Sequence, residues 1–485
     1  MGHPRELLKH SYILVTLIIA VLQPGCSSDG WISLFDGKTM DGWQPSENKS
    51  SWQIEDGALV SKGPRSHLFY VGEVHNHVFK NFEFTADVKT TPGSNSGIYF
   101  HTRYQESGWP DKGYECQVIN SNPEVEPGAY VERKMTGSLY AIRSVWKAPA
   151  QDNLWFNYHI VVQGKTIRVF INGELMVDYT ESVNPFRQES MKGRLLSSGT
   201  FAFQCHDPQS VVYYKNVKVK PLPDDTPTPG DPTDDPEFDA RLIELSGTNF
   251  PLMDLHVHLK RGLTMEQALD NARKYGFTYG IAVNCGLKMG FETNDSLQKY
   301  LAAYNQPPHT FLAMQAEGRE WLDLFSTETI AQFDYVFTDA MTWTNDNGKR
   351  MRLWIKEETE VGDPQNFMAQ LVDRIEKIVN NEPIDIYVNP TYLPDEINHM
   401  YDELWTAERM DRVIKALVDN EVALEINDRR KIPSPAFIKR AKAGGVKFTF
   451  GTNNAGPQDL GKLAYCLAMV QECGLTQDDI WIPQP

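Results

Sequence analysis

The chain is poor in cysteine, in basic residues relative to acidic ones, and in long apolar runs. Its 6 cysteines among 485 residues show no CxxC or CxxH spacing, which argues against a structural zinc site and leaves no disulfide framework to expect. Lys and Arg together number 47 against 64 Asp and Glu, a formal net charge of −17. That balance argues against a nucleic-acid partner, because phosphate binding needs clustered Lys and Arg. The apolar run from Tyr12 to Leu22 is shorter than the ~20 residues a membrane-crossing helix requires. From Ser27 to Lys220 there is no convincing long helical pattern. What remains is 41% hydrophobic and 23% charged, the composition of a soluble globular protein. The length points to two domains rather than one.

The N-terminus reads as a targeting segment, residues 1–26. Arg5 and Lys9 precede the apolar run, and Gly25-Cys26-Ser27 follows it. A small residue before a cysteine at this position resembles a bacterial lipobox, although Gln23 stands where an aliphatic residue is usual. The resemblance implies an exported lipoprotein, anchored through Cys26 on the periplasmic or outer-membrane face. An ordinary cleaved signal with an incidental cysteine is the alternative, and it too implies export.

Residues 27–221 carry short alternating runs. Phe82, Phe84, Ala86 and Val88 alternate with polar neighbours, as in a half-buried strand. Asn172-Gly173 between two apolar runs supplies the positive φ angles of a type I′ hairpin turn. Many such strands over this length predict an all-β jelly-roll sandwich. In Tyr114-Glu115-Cys116-Gln117, alternation places Glu115 and Gln117 on one face and Tyr114 and Cys116 on the other. Gln204 and His206 repeat the pattern, and Asn95 and His101 flank a further strand. An acid, an imidazole and several amides suit a sugar pocket, and Trp109 or Trp146 could stack on the ring. Cys116 and Cys205 read as small core residues.

Several motifs of this half occur together and in order. They include Gly30-Trp31-Ile32-Ser33-Leu34-Phe35-Asp36-Gly37, Asn95-Ser96-Gly97-Ile98-Tyr99-Phe100, Gly113-Tyr114-Glu115-Cys116-Gln117, Thr136-Gly137-Ser138-Leu139-Tyr140 and Gln204-Cys205-His206. In this it resembles the 3-keto-disaccharide hydrolase domain family. The resemblance implies a concanavalin-like jelly roll and cleavage of 3-keto-glycosides by lyase and hydratase steps, or net hydrolysis. It implies Glu115 and His206 as catalytic residues, and Asn95, His101, Gln117, Tyr140 and Gln204 as carbohydrate-binding ones. The family often has arginine at the position of His101.

Residues 222–249 are rich in Pro and Asp and predict a linker. From Phe250 to the C-terminus, residues 250–485, the period changes. Thr264 with Gln267 forms a capping box before Met265, Ala268, Leu269 and Ala272, and Asp363-Pro364 opens a second amphipathic helix. Strands near 252–258, 279–284, 311–316, 335–339, 385–389, 422–426 and 447–451 alternate with helices, predicting an α/β (βα)7 parallel barrel with its site at the strand C-termini. His256 and His258 share one face of the first of these strands. Seven units opening on this His-x-His are similar to the polymerase and histidinol phosphatase (PHP) family of metal-dependent phosphoesterases. That resemblance implies two or three metals at the strand ends, of which one divalent metal on His256, His258, Glu317 and Asp339 could remain. It departs from the family at Asn284-Cys285, Asn389-Pro390 and Asn453-Asn454, where neutral amides replace stronger ligands. The competing reading is a degenerate barrel whose polar pocket is held by Asn–His hydrogen bonds.

The function expected is an exported enzyme that cleaves 3-keto-glycosides in its jelly roll. The alternatives are a carbohydrate-binding jelly roll tethered to a metal-dependent phosphoesterase barrel, and a non-catalytic surface glycan-binding lipoprotein.

Overall fold

The computed structural model describes residues 29–126, 129–345 and 347–483. The targeting segment and Cys26 lie outside the described residues. Among the described residues, the first half folds into two antiparallel sheets, of eight and five strands. The five-stranded sheet runs Trp43–Pro45, Ser66–Tyr70, Thr200–Cys205, Ser96–Thr102, Tyr114–Val118 in spatial order. One face of it, through Leu68, Ile98, Phe100, Tyr114, Cys116 and Phe203, packs on the larger sheet to make the sandwich core. The predicted hairpin joins Thr166–Ile171 to Glu174–Thr180. Asn172 and Gly173 have φ of 51° and 84°, which satisfies the turn.

The second half is a near-closed barrel. Seven parallel strands follow in sequence order, from Met253–Val257 to Phe448–Gly451. The two ends meet where the Asn453 amide donates to the His256 carbonyl at 2.9 Å. The helix Met265–Tyr275 opens on the Thr264–Gln267 capping box and buries Ala268, Leu269 and Ala272. The helix Pro364–Asn381 opens on Asp363 and buries Met368, Leu371, Val372, Ile375, Ile378 and Val379.

The stretch expected to be a linker is only partly one. Asp235 caps a helix, Pro236–Gly247, by accepting from the Phe238 amide. The proline that suggested extended chain sits at the first helical position, where its missing N–H costs nothing. This helix is a wedge: Leu242 and Leu245 enter the barrel core and Ile243 the sandwich core. Beside it, Arg143 forms a buried ion pair with Asp239 and donates to the Lys274 carbonyl at 2.6 Å. Lys134 and the Arg133 amide both donate to Asn249. Trp146, expected as a stacking platform for sugar, instead donates to the Gly276 carbonyl and is buried in the barrel core. The segment from Glu132 to Trp146 therefore docks one half on the other.

Candidate functional site

The second face of the five-stranded sheet forms the floor of a cavity of about 400 Å³. Strand Tyr114–Val118 pairs with Ser96–Thr102, so that Glu115 lies opposite Tyr99 and Gln117 opposite Gly97. Alternation turns all four towards the cavity while Ile98, Phe100 and Cys116 face the core. Gly97 is needed there, because a Cβ would stand 2.7 Å from Glu115 Oε1. The loops 104–111 and 186–196 and the docking segment supply the walls, through Trp109, Asp111, Met191, Arg194, Glu132 and Tyr140.

Six of the expected residues line this cavity: Asn95, Glu115, Gln117, Tyr140, Gln204 and His206. Glu115 is at the centre and nearly buried. Its carboxylate accepts from Arg194 Nη2 at 2.9 Å and from Gln204 Nε2 at 2.9 Å. Gln117 donates to Asn95 Oδ1 at 3.1 Å. Tyr140 donates to Glu132, which is itself paired with the buried Lys134 at 2.7 Å. His206 sits beside the Trp109 ring at 5.2 Å, and its Nδ1 is 2.8 Å from Asp207 Oδ2. Partial burial works against the charge on Asp207, but hydrogen bonds from His206, Ser210 and the Gln209 amide hold its carboxyl down at about 2. A charged Asp207 fixes the imidazole by one nitrogen and leaves the other available.

His101 is not part of the site. Simple alternation puts it beside Tyr99, but its φ is 55°, next to a shift of register against the neighbouring strand. The left-handed residue turns its ring off the cavity face. There Nε2 meets the Lys80 carbonyl at 2.9 Å, Nδ1 accepts from the Ser197 amide at 3.1 Å, and Phe82 and Phe100 pack around it. Burial pulls its pKa down to about 4, as expected of a neutral core histidine.

Arg194, Glu132, Tyr99 and Asp207 were missed. Tyr99 was readable, since it alternates with Gly97 along one strand. Arg194 and Glu132 lie in irregular segments, where no period announces them. Arg194 is the cation paired with Glu115, at 2.9 Å, whereas Arg103 pairs with Asp111 at 3.1 Å and Arg133 lies near Asp478.

The barrel carries its own cavity, of about 240 Å³, at the C-terminal ends of its strands. The expected metal set does not assemble. His258, Glu317 and Asp339 line the cavity, but His256 lies beneath it, its Nδ1 2.6 Å from Glu425 and its ring against Phe337. Glu317 accepts from Asn284 at 3.1 Å and Gln315 at 2.9 Å, and Asp339 from Asn389 at 2.9 Å. Among the described residues no three His, Cys, Asp or Glu side chains are grouped so as to hold a metal. The strand-end amides engage Glu317 Oε1 and Asp339 Oδ2, while His256 Nε2 is buried without a hydrogen-bond partner among the described residues. Asn389 and Asn453 also have φ of 48° and 42°, a backbone conformation that asparagine tolerates better than most residues. Among the described residues the expected ligands thus form no preassembled metal centre, although His258, Glu317 and Asp339 share one cavity.

Burial, and then the neighbouring Asp339 carboxylate, push Glu317 up to about 8. A folded-state pKa raised above the unfolded value favours folding below about 4.5 and loses that contribution as pH rises through 8. In EDTA, the stability advantage of Glu317→Gln over wild type is therefore expected to grow from pH 5 to pH 9, reaching on the order of a few kcal/mol. Urea unfolding at several pH values measures it; a difference independent of pH refutes the assignment.

Both fold and cavity define the first half as a β-sandwich domain with a polar, carboxylate-centred pocket. Residues 30–220 match the family model described as a 3-keto-alpha-glucoside-1,2-lyase-like domain. A 3-keto-disaccharide hydrolase of Bacteroides thetaiotaomicron is 37% identical over 86 residues, which are 16% of this chain and 30% of that protein. The match thus spans less than a third of the curated relative. Among solved structures, a Parabacteroides distasonis protein provisionally described as a glycosyl hydrolase is 26% identical. That likeness covers 40% of this chain and 95% of that one, with a TM-score of 0.34. The carbohydrate-binding module CBM66 of Bacillus subtilis is 14% identical over 37% of this chain and 95% of that one, with a TM-score of 0.25.

Proposed function

We propose that the sandwich cavity cleaves 3-keto-glycosides by elimination and hydration. The observation that carries this is the convergence of Glu115, Asn95, Gln117, Gln204 and His206 on one cavity in a 3-keto-alpha-glucoside-1,2-lyase-like domain. A ketone at C3 acidifies the C2 proton. Glu115 takes that proton, and the C–H electron pair passes into the C2–C3 enolate. The enolate oxygen is stabilised by the donors around Glu115, Arg194 Nη and Gln204 Nε2. Collapse of the enolate forms the C1–C2 double bond and breaks the bond from C1 to its oxygen substituent, which takes a proton from His206. Water then adds across the double bond, with its hydroxyl at C1, giving net hydrolysis. Trp109 offers the ring an aromatic face.

In this reading the protein is exported and anchored through Cys26. Residues 222–235 connect the halves, and the barrel retains the PHP-like strand order without metal chemistry. The test is incubation of the full chain with a disaccharide and with its C3-oxidised form. Turnover of the oxidised form alone, with deuterium from D2O appearing at C2, is the expected result. Equal turnover of both forms refutes the elimination mechanism. Binding without turnover of either supports the glycan-binding alternative instead.

A further inference from the structure

We propose that the barrel cavity is a second ligand site, which holds without metal a single sugar ring bearing one carboxylate. At about 240 Å³ it is smaller than the ~300–1,000 Å³ of most drug-sized sites, so one ring fits and a chain does not. Its two ends differ in chemistry. The inner end is Asn284, Gln315, Glu317, Asp339 and Asn389, an alternation of amides and carboxylates tied together by their own hydrogen bonds. Such a surface both gives and accepts hydrogen bonds, as a polyol does. A dianionic group placed there would meet two carboxyl groups.

The outer end is cationic. Lys260, Arg429 and Arg430 line the mouth, and among the described residues none of them forms an ion pair. Among the described residues Arg429 donates to the Asn453 carbonyl at 3.3 Å, and Arg430 lies over the Tyr392 ring at 4.3 Å. Asp459, the acid whose field reaches Lys260, accepts instead from the Ala455 amide at 2.5 Å. Three unpaired cations around one opening are unusual in a chain of net charge −17. Guanidinium groups bind a planar carboxylate through paired N–H bonds. Trp354, also in the lining and partly exposed, gives a sugar ring an apolar face. These strand ends and the cations beyond them thus make a bipolar cavity: hydroxyls inward, carboxylate outward.

The experiment is calorimetric titration of the full chain in EDTA with D-glucuronate, D-glucose and D-glucose 6-phosphate, repeated with Arg429→Gln/Arg430→Gln. Expected are binding of glucuronate at millimolar concentration or below, glucose weaker by about tenfold or more, and a similar loss in the double variant. Lys260→Gln, at a partly exposed position, serves as a second variant in case the first misfolds, and quenching of Trp354 fluorescence, tested against Trp354→Phe, as a second readout. The assignment is overturned if glucuronate does not bind or glucose binds equally well. It is overturned too if affinity survives the charge substitutions, needs added metal, or is higher for the phosphate ester.

Discussion

Glu115→Gln is expected to lower kcat on a 3-keto-disaccharide by about 10²–10⁴-fold, the usual worth of a positioned general base. The substitution keeps size and shape but removes the carboxylate that takes the C2 proton in the proposed mechanism. Deuterium incorporation at C2 should fall by the same factor, while KM changes little, because Asn95, Gln117 and Gln204 remain. Glu115 also neutralises Arg194, whose guanidinium is buried and stacked over the Tyr99 ring at 5.2 Å. The variant will therefore be less stable as well as less active. Measuring rates far below its unfolding temperature separates the two effects, since a purely structural role would leave the exchange rate per folded molecule intact. Retention of full turnover would remove Glu115 from the mechanism.

Asp239→Ala is expected to destabilise the protein by about 3–5 kcal/mol, the range for breaking one side of a buried ion pair. Arg143 and Asp239 are 2% and 5% exposed, so neither finds water when its partner is lost. Arg143 would keep its bonds to the Lys274 and Ile142 carbonyls and its place over the Tyr179 ring, but no anion. Removing both charges in Arg143→Met/Asp239→Ala should recover part of the loss, because the penalty comes from the uncompensated charge rather than from the missing attraction. Denaturant midpoints give both numbers. If the double variant is as unstable as the sum of the singles, the charge argument fails and packing is the cause.

How much of this was readable beforehand depended on whether a local rule governed the residue. The Asn172-Gly173 turn, the Thr264–Gln267 box and the apolar face of Pro364–Asn381 are local, and each reads directly from neighbours in sequence. Glu115 and Gln117 were legible because an undistorted strand alternates. His101 was not, because one left-handed residue reverses the rule and its sequence carries no mark of that. The helix from Pro236 hid behind a composition that usually means extended chain. In the barrel, counting strands located Glu317, Asp339 and the asparagines at one end. It could not show that they pair with each other, since those bonds join residues 33 to 64 positions apart, such as Asn284 and Glu317 at 3.1 Å and Asn453 and Asn389 at 3.3 Å. Arg194 is a similar case, a partner brought to Glu115 from 79 positions away.

The Glu132–Trp146 segment touches the sandwich cavity with Glu132 and Tyr140 and the barrel with Lys134, Arg143 and Trp146. One wall of the first cavity is thus clamped from behind by the other half of the molecule. The two parts cannot be treated as beads on a string. A sandwich cut free at residues 222–235 would lose the backing of that wall, and a barrel grafted elsewhere would expose Trp146's seat. Any transplant or shuffling of this chain has to carry both halves, with the wedge helix between them, as one heritable unit.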